Sequence, residues 1–135
     1  MSTFSKEEKA AMQATVAEAK AAKTGADLEA ACVAAIKGMT GSDKELAETV
    51  HALVSEHTTL APKTWYGMPA YANSEGKVVV FFQPAKKFKT RYATIGFQEA
   101  ATLDDGTFWP NAYAVTKLTA AEKKRLIALL KKAVS

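Results

Sequence analysis

TWYGMPAYANSEGKVVVFFQ, residues 64–83, is where the chain stops reading as helix and starts reading as sheet. Its second half, KVVVFFQ over residues 77–83, holds five consecutive apolar residues that are β-branched or aromatic. That is the composition of a strand covered on both faces, which belongs at the centre of a sheet. Ser74-Glu75-Gly76 supplies a turn that joins it to a short strand around residues 70–73. The first half is less ordinary. Gly67 and Pro69 mark a turn or bend, yet Trp65, Tyr66, Met68 and Tyr71 flank them where polar residues are usual. Met68 precedes proline and is pushed out of helical angles, while Gly67 has access to angles closed to other residues. Aromatic surface at such a bend is covered either by the protein's own core or by a ligand.

Upstream, the pattern is helical. Ser5 with Glu8 has capping-box spacing, and an Ala-rich segment follows to about Ala22 with a thin apolar stripe of Met12, Val16 and Ala19. After Thr24-Gly25, Leu28, Cys32, Ala35, Ile36 and Met39 recur at helical intervals, and Gly38 and Gly41 close that segment. Ser42 with Glu45 repeats the capping signature before Leu46, Val50, Leu53, Val54 and His57 trace the inner face of a third helix. Downstream, RYATIGF (91–97) reads as a strand and Asp104-Asp105-Gly106 as a turn. Residues 107–116 read as a last strand interrupted at Pro110. Thr119 and Glu122 open a terminal helix whose Leu126, Ile127, Leu129, Leu130 and Val134 face inward, with lysines late in it that suit the helix dipole. Helices, then strands, then one helix argue for a single α+β domain over residues 1–135. The expected sheet is largely antiparallel, of about four to five strands, with the C-terminal helix packed on it.

Composition agrees with a globular chain: 48% of residues are hydrophobic and 24% charged. The one cysteine, Cys32, leaves no intramolecular disulfide. The longest apolar run, Ala30–Ile36, is far short of the roughly 18 residues a membrane span needs. The N-terminus has no apolar stretch behind its lysines, so the expected location is cytoplasmic. The net charge of +4 is unevenly placed. Residues 1–60 hold six lysines against nine acids, and the rest of the chain twelve basic residues against five acids.

Trp109-Pro110-Asn111-Ala112-Tyr113 repeats the idea of an aromatic beside a proline. If the two bends lie side by side, Trp65, Tyr66, Met68, Trp109 and Tyr113 form one cluster near a sheet edge, with Phe82 and Phe97 as its floor. That cluster is the candidate ligand pocket. A second candidate is Lys86, Lys87, Lys89 and Arg91, which alternate with Phe88 and Tyr92. Basic residues among aromatics suit phosphates and bases, so this stretch is the candidate anion or nucleic-acid site, against the alternative of a solvated loop. His57 reads as a histidine at the core edge bonded to a backbone carbonyl, and His51 as lying off that face. Cys32 reads as a small core residue. No catalytic or metal-ligating set is read from the sequence, and no phosphate loop, nucleophile elbow or HExxH helix occurs.

WYGMPAY followed by GKVVVFFQ, then ATIGF, LDDGTFWP and the closing amphipathic helix, resembles the YdhG-like family of small bacterial domains. The likeness runs from about Leu46 to the C-terminus. Members are often labelled frataxin-like iron chaperones. The resemblance implies a compact α+β fold without established catalysis, and iron as the one cofactor to consider. Iron sites of that type gather oxygen ligands, whereas the first helix offers Glu7, Glu8 and Glu18 interleaved with Lys6, Lys9 and Lys20. No metal residue is therefore assigned. The expected function is a non-catalytic domain that handles a small ligand or a metal. The alternatives are an anion or nucleic-acid module, and a domain whose partner is another protein.

Overall fold

The computed structural model describes residues 5–21 and 24–135. Five helices and five strands follow one another as α1 (Lys6–Ala21), α2 (Gly25–Lys37), α3 (Gly41–His57), β1 (Ala61–Trp65) and β2 (Met68–Ala72). They continue as β3 (Val78–Gln83), α4 (Ala85–Phe88), β4 (Ala93–Phe97), β5 (Ala112–Val115) and α5 (Ala120–Ala133). The strands form one antiparallel sheet in the order β1-β2-β3-β4-β5. The α+β architecture is the expected one, and KVVVFFQ does supply its central strand, β3.

Alternation along the strands sorts their side chains onto two faces. Tyr71, Val80, Phe82, Ala93, Ile95, Phe97 and Val115 point to one face, where they join Cys32 and Ile36 of α2, Val50 and Val54 of α3, and Leu126 and Leu130 of α5 in a buried cluster. Three helices thus cover this side. α2 is rich in alanine and lies closest to β1, because small side chains let a helix backbone approach a strand. The other face carries Trp65, Met68, Ala70, Phe81 and Gly96, and receives α1.

Local signals account for most boundaries. Ser5 Oγ accepts from the Glu8 N–H at 3.1 Å, and Thr24 caps α2 by accepting from the Asp27 N–H at 3.1 Å. Glu122 Oε1 accepts from the Thr119 N–H at 3.3 Å at the start of α5. The expected Ser42–Glu45 cap is not used. The N-cap is Thr40 and α3 begins at Gly41, two residues earlier than a Ser42 cap would start it, and its first-turn acid, Asp43, is committed elsewhere. The β1 strand was missing from the sequence reading, and the last strand is confined to Ala112–Val115, with residues 107–111 left in a loop. On α5, Ala133 turns inward and Val134, expected inside, is 45% exposed, because it lies past the last helical turn. Val16, Ala19 and Ala22 lie outside the residues whose side chains are described.

Candidate functional site

The WYGM segment closes the β1–β2 hairpin with two residues. Tyr66 and Gly67 have φ of 52° and 76°, positive at both central positions as in a type I′ turn, and Trp65 pairs with Met68 across it. Pro69 is not a kink but a strand residue, tolerated because the pairing of β2 with β3 begins only at Ala70. The left-handed region costs nothing at Gly67, but costs a side-chain-bearing residue about 1–2 kcal/mol. Tyr66 bears that cost, and its ring meets Trp65 edge-on at 4.7 Å between centroids. Trp65 in turn tilts against Phe81 at 5.2 Å. The rings meet across β2 because β2 presents the small Ala70 there. Phe81 also lies on Gly96, where an added Cβ would stand 2.2 Å from its Cζ.

Gln83, two residues along β3 from Phe81, continues this wall, and beside it stand Glu8, Ala11 and Met12 of α1 and Phe88 of α4. Together they line an open cleft of about 430 Å³, to which Tyr66 and Met68 also contribute. That is the size of a small-molecule site. Long-range contacts hold α4 in place. The buried carboxylate of Asp43 accepts from the backbone N–H of Ala85 at 2.9 Å and of Lys86 at 3.0 Å. Lys87 Nζ donates to the Gly67 carbonyl at 3.3 Å, tying α4 to the hairpin tip. α1 is fastened by an ion pair of 2.8 Å between Glu7 and Lys89. The hydrogen bond from Lys89 holds the Glu7 carboxyl below its ordinary value, and Glu7 raises Lys89.

The structure brings together part of the expected pocket. Trp65, Tyr66 and Met68 share the cleft, but Phe82 and Phe97 point to the opposite face and are core, with Phe81 taking the place expected of Phe82. Trp109 and Tyr113 are not near Trp65, because β1 and β5 are the two outer strands, roughly 19 Å apart at about 4.8 Å per strand. They differ along the strands as well. Trp65 stands towards the end of the sheet where Gln83 pairs with Thr94, whereas Trp109 lies beyond the opposite end, where the Phe97 N–H donates to Asn111 O. Tyr113 points to the core face, edge-on to Phe97 at 6.1 Å and under the Arg125 guanidinium at 5.7 Å.

The basic stretch is likewise redistributed. Its first part, Lys86 and Lys87, belongs to the short helix α4, which Lys89 ends at φ 56°, and Arg91 lies in the bend beyond. Lys89 is paired with Glu7, Lys87 is bonded to Gly67 O, and Arg91 stacks on Tyr92 at 5.2 Å. Lys86 is exposed. Phe88, expected to stack on a base, is a wall of the aromatic cleft.

A buried polar chain also escaped sequence reading. Tyr71, fully buried, places its hydroxyl 3.0 Å from His51 Nδ1 and 4.0 Å from Cys32 Sγ. Burial raises the Tyr71 hydroxyl and pushes the Cys32 thiol up to about 11, so both stay protonated at neutral pH. His51, read as lying off the buried face, is thus the histidine with an internal partner, whereas His57 stands half-buried in the last turn, 3.8 Å from Glu56. The difference arises because Ala47 is buried and widens the inner face of α3 towards His51. Among the described residues no three of His, Cys, Asp or Glu gather as metal ligands. No helix is long and apolar enough to cross a membrane, among the described residues. Comparison with protein-family models, with curated proteins and with solved structures found no match to this chain.

Proposed function

We propose that the chain is a non-catalytic binding domain whose ligand, a small molecule with an apolar or aromatic body, sits between the β1–β2 hairpin and α1. The observation that carries this reading is the cleft itself, with Trp65, Tyr66, Phe81 and Phe88 around one space and Tyr66 kept in a costly backbone conformation to be there. Strained residues collect where function needs a side chain that the fold does not. Glu8 and Gln83 supply polar atoms that would orient the ligand. The resemblance to YdhG-like domains supports a binding role without catalysis, and it keeps iron among the ligands to try.

The test uses a Trp109→Phe variant, which leaves Trp65 as the one tryptophan, titrated with aromatic and aliphatic metabolites, ferrous and ferric iron, and short oligonucleotides. A ligand at a hundred times its Kd stabilises by about 2.7 kcal/mol, a rise of roughly 10 °C in midpoint for a domain of this size. The expected result is a saturable change in Trp65 emission that Phe88→Ala abolishes. A midpoint shift with iron that Phe88→Ala leaves intact would favour metal handling in place of the cleft. Oligonucleotide binding lost in Lys86→Ala would favour the basic stretch. No response to any of these would leave a protein partner as the better reading.

A further inference from the structure

The cleft between the β1–β2 hairpin and α1 has a charge pattern unlike that of the whole chain. The chain carries +4, yet among the described residues that line this space the one charged side chain is Glu8, with no lysine or arginine beside it. Its carboxylate enters none of the ion pairs among the described residues. The basic residues at and after α4 are committed elsewhere. Lys89 pairs with Glu7 at 2.8 Å, Lys87 donates to the Gly67 carbonyl at 3.3 Å, and Lys86 and Lys87 border a separate hollow shared with α2 and Asp43.

The rings carry charge information too, because the face of an aromatic ring is the negative part of its quadrupole. Trp65, Tyr66, Phe81 and Phe88 border the one space, and the pairs in contact are inclined, Trp65 to Tyr66 by 77° and Trp65 to Phe81 by 54°. Inclined rings form the corner of a box, whereas a flat aromatic ligand is held best between parallel ones. Phe88 already draws a cation within the chain, with Lys87 Nζ 5.6 Å from its ring centroid.

Taking that cleft as the binding site, as proposed above, we infer that it is an aromatic cage for a small organic cation whose nitrogen is fully N-methylated, as in choline. Ring faces and the Glu8 carboxylate meet the positive charge. An anion finds no positive side chain among the described lining residues and is repelled by Glu8. A primary ammonium is the wrong form of cation, since it brings three N–H donors that lose water on burial and need acceptors. Ala11, Met12 and Met68 make up the rest of the lining and offer such donors little. Methyl groups on the nitrogen replace the donors with apolar surface, which those same side chains cover. The cleft is open, so the remainder of the molecule stays in water.

Choline and its uncharged isostere, in which tert-butyl replaces trimethylammonium, test this by calorimetry on the full chain and by Trp65 emission in the Trp109→Phe background. Choline is expected to bind saturably and about tenfold more tightly than the isostere, which has the same shape without the charge. Glu8→Gln keeps a side chain suited to the first turn of α1, and is expected to weaken choline several-fold while leaving the isostere unchanged. Phe88→Leu removes a ring but keeps apolar bulk, and is expected to abolish the preference for choline. Choline and isostere binding equally, with both lost in Phe88→Ala, overturns the cation but leaves the cleft a binding site. So does an uncharged aromatic metabolite that binds there when choline does not. Choline binding that survives Glu8→Gln and Phe88→Leu together lies outside the cleft and overturns the inference as well. If neither choline, isostere nor metabolite perturbs Trp65, the cleft is not a binding site and both readings fall.

Discussion

At position 96 a single methyl group tests the aromatic wall. Alanine there would put its Cβ 2.2 Å from Phe81 Cζ, so the ring has to leave Gly96 and press on Trp65. Overpacking of this kind costs about 1–3 kcal/mol. Gly96→Ala is expected to lower the thermal midpoint and to change Trp65 emission together, and a variant as stable as wild type would show that Phe81 does not lie on Gly96. Tyr66 provides the complementary probe. Asparagine suits the left-handed first position of this turn and relieves strain of about 1–2 kcal/mol, but forfeits an edge contact with Trp65 of about 0.5–1.5 kcal/mol. Tyr66→Asn is therefore expected to leave stability nearly unchanged in denaturant melts while weakening any ligand of the cleft. Trp65, Tyr66 and Met68 were legible as a group because an aromatic turn is unusual in itself. Phe81 was not, because in a strand apolar on both faces the choice between Phe81 and Phe82 is a matter of register, which only pairing with β2 and β4 decides.

For the elements, legibility followed length and periodicity. α2, α3 and α5 each bury residues at three- and four-residue spacing, and β3 is a continuous β-branched and aromatic run, so all four stand out locally. α4 has four residues, too few for any period, and exists because Asp43 caps it from α3. Removing that carboxylate leaves two backbone donors without their acceptor. Asp43→Ala is expected to cost about 1–2 kcal/mol, the usual loss for a cap. It should also accelerate hydrogen exchange at the amides of Ala85 and Lys86 ahead of the rest of the chain. Protection of those amides equal to wild type would rule Asp43 out as the anchor of α4. Since α4 carries Phe88, the same variant should open the cleft, whereas Glu122→Gln at the start of α5 should not.

At the scale of the molecule, the Glu7–Lys89 ion pair ties α1, over the open face of the sheet, to the end of α4. Glu7 is depressed in the folded protein by its bond to Lys89, so its contribution is present above the carboxylate's unfolded value and is lost as pH falls through the folded one. Acid should thus release α1 from α4. In the Trp109→Phe background, Trp65 emission is expected to shift as pH falls below the ordinary carboxylate value, before the far-ultraviolet circular dichroism of the core helices changes. Glu7→Gln should remove that early step, and high salt should weaken the latch at neutral pH. A Trp65 signal that moves only with global unfolding, in wild type and variant alike, would mean that the pair contributes nothing to closure.

What the sequence determined by itself was whatever depends on neighbours within a few residues: the order of helices and strands, the central position of KVVVFFQ, two of the helix caps, and the aromatic turn at residues 65–68. Backbone propensity, capping and side-chain periodicity act over that range, so a linear reading captures them. Tertiary structure alone decided which aromatics share a cleft. Two aromatic-proline segments that look equivalent in sequence end at opposite edges of the sheet, because a meander of five strands separates its first strand from its last. Tertiary structure also turned the start of a basic stretch into a helix held by a distant carboxylate, and linked His51, Tyr71 and Cys32 across three elements. Each of these depends on strand register and on which face a helix covers, and those are fixed by how the whole apolar surface is buried at once.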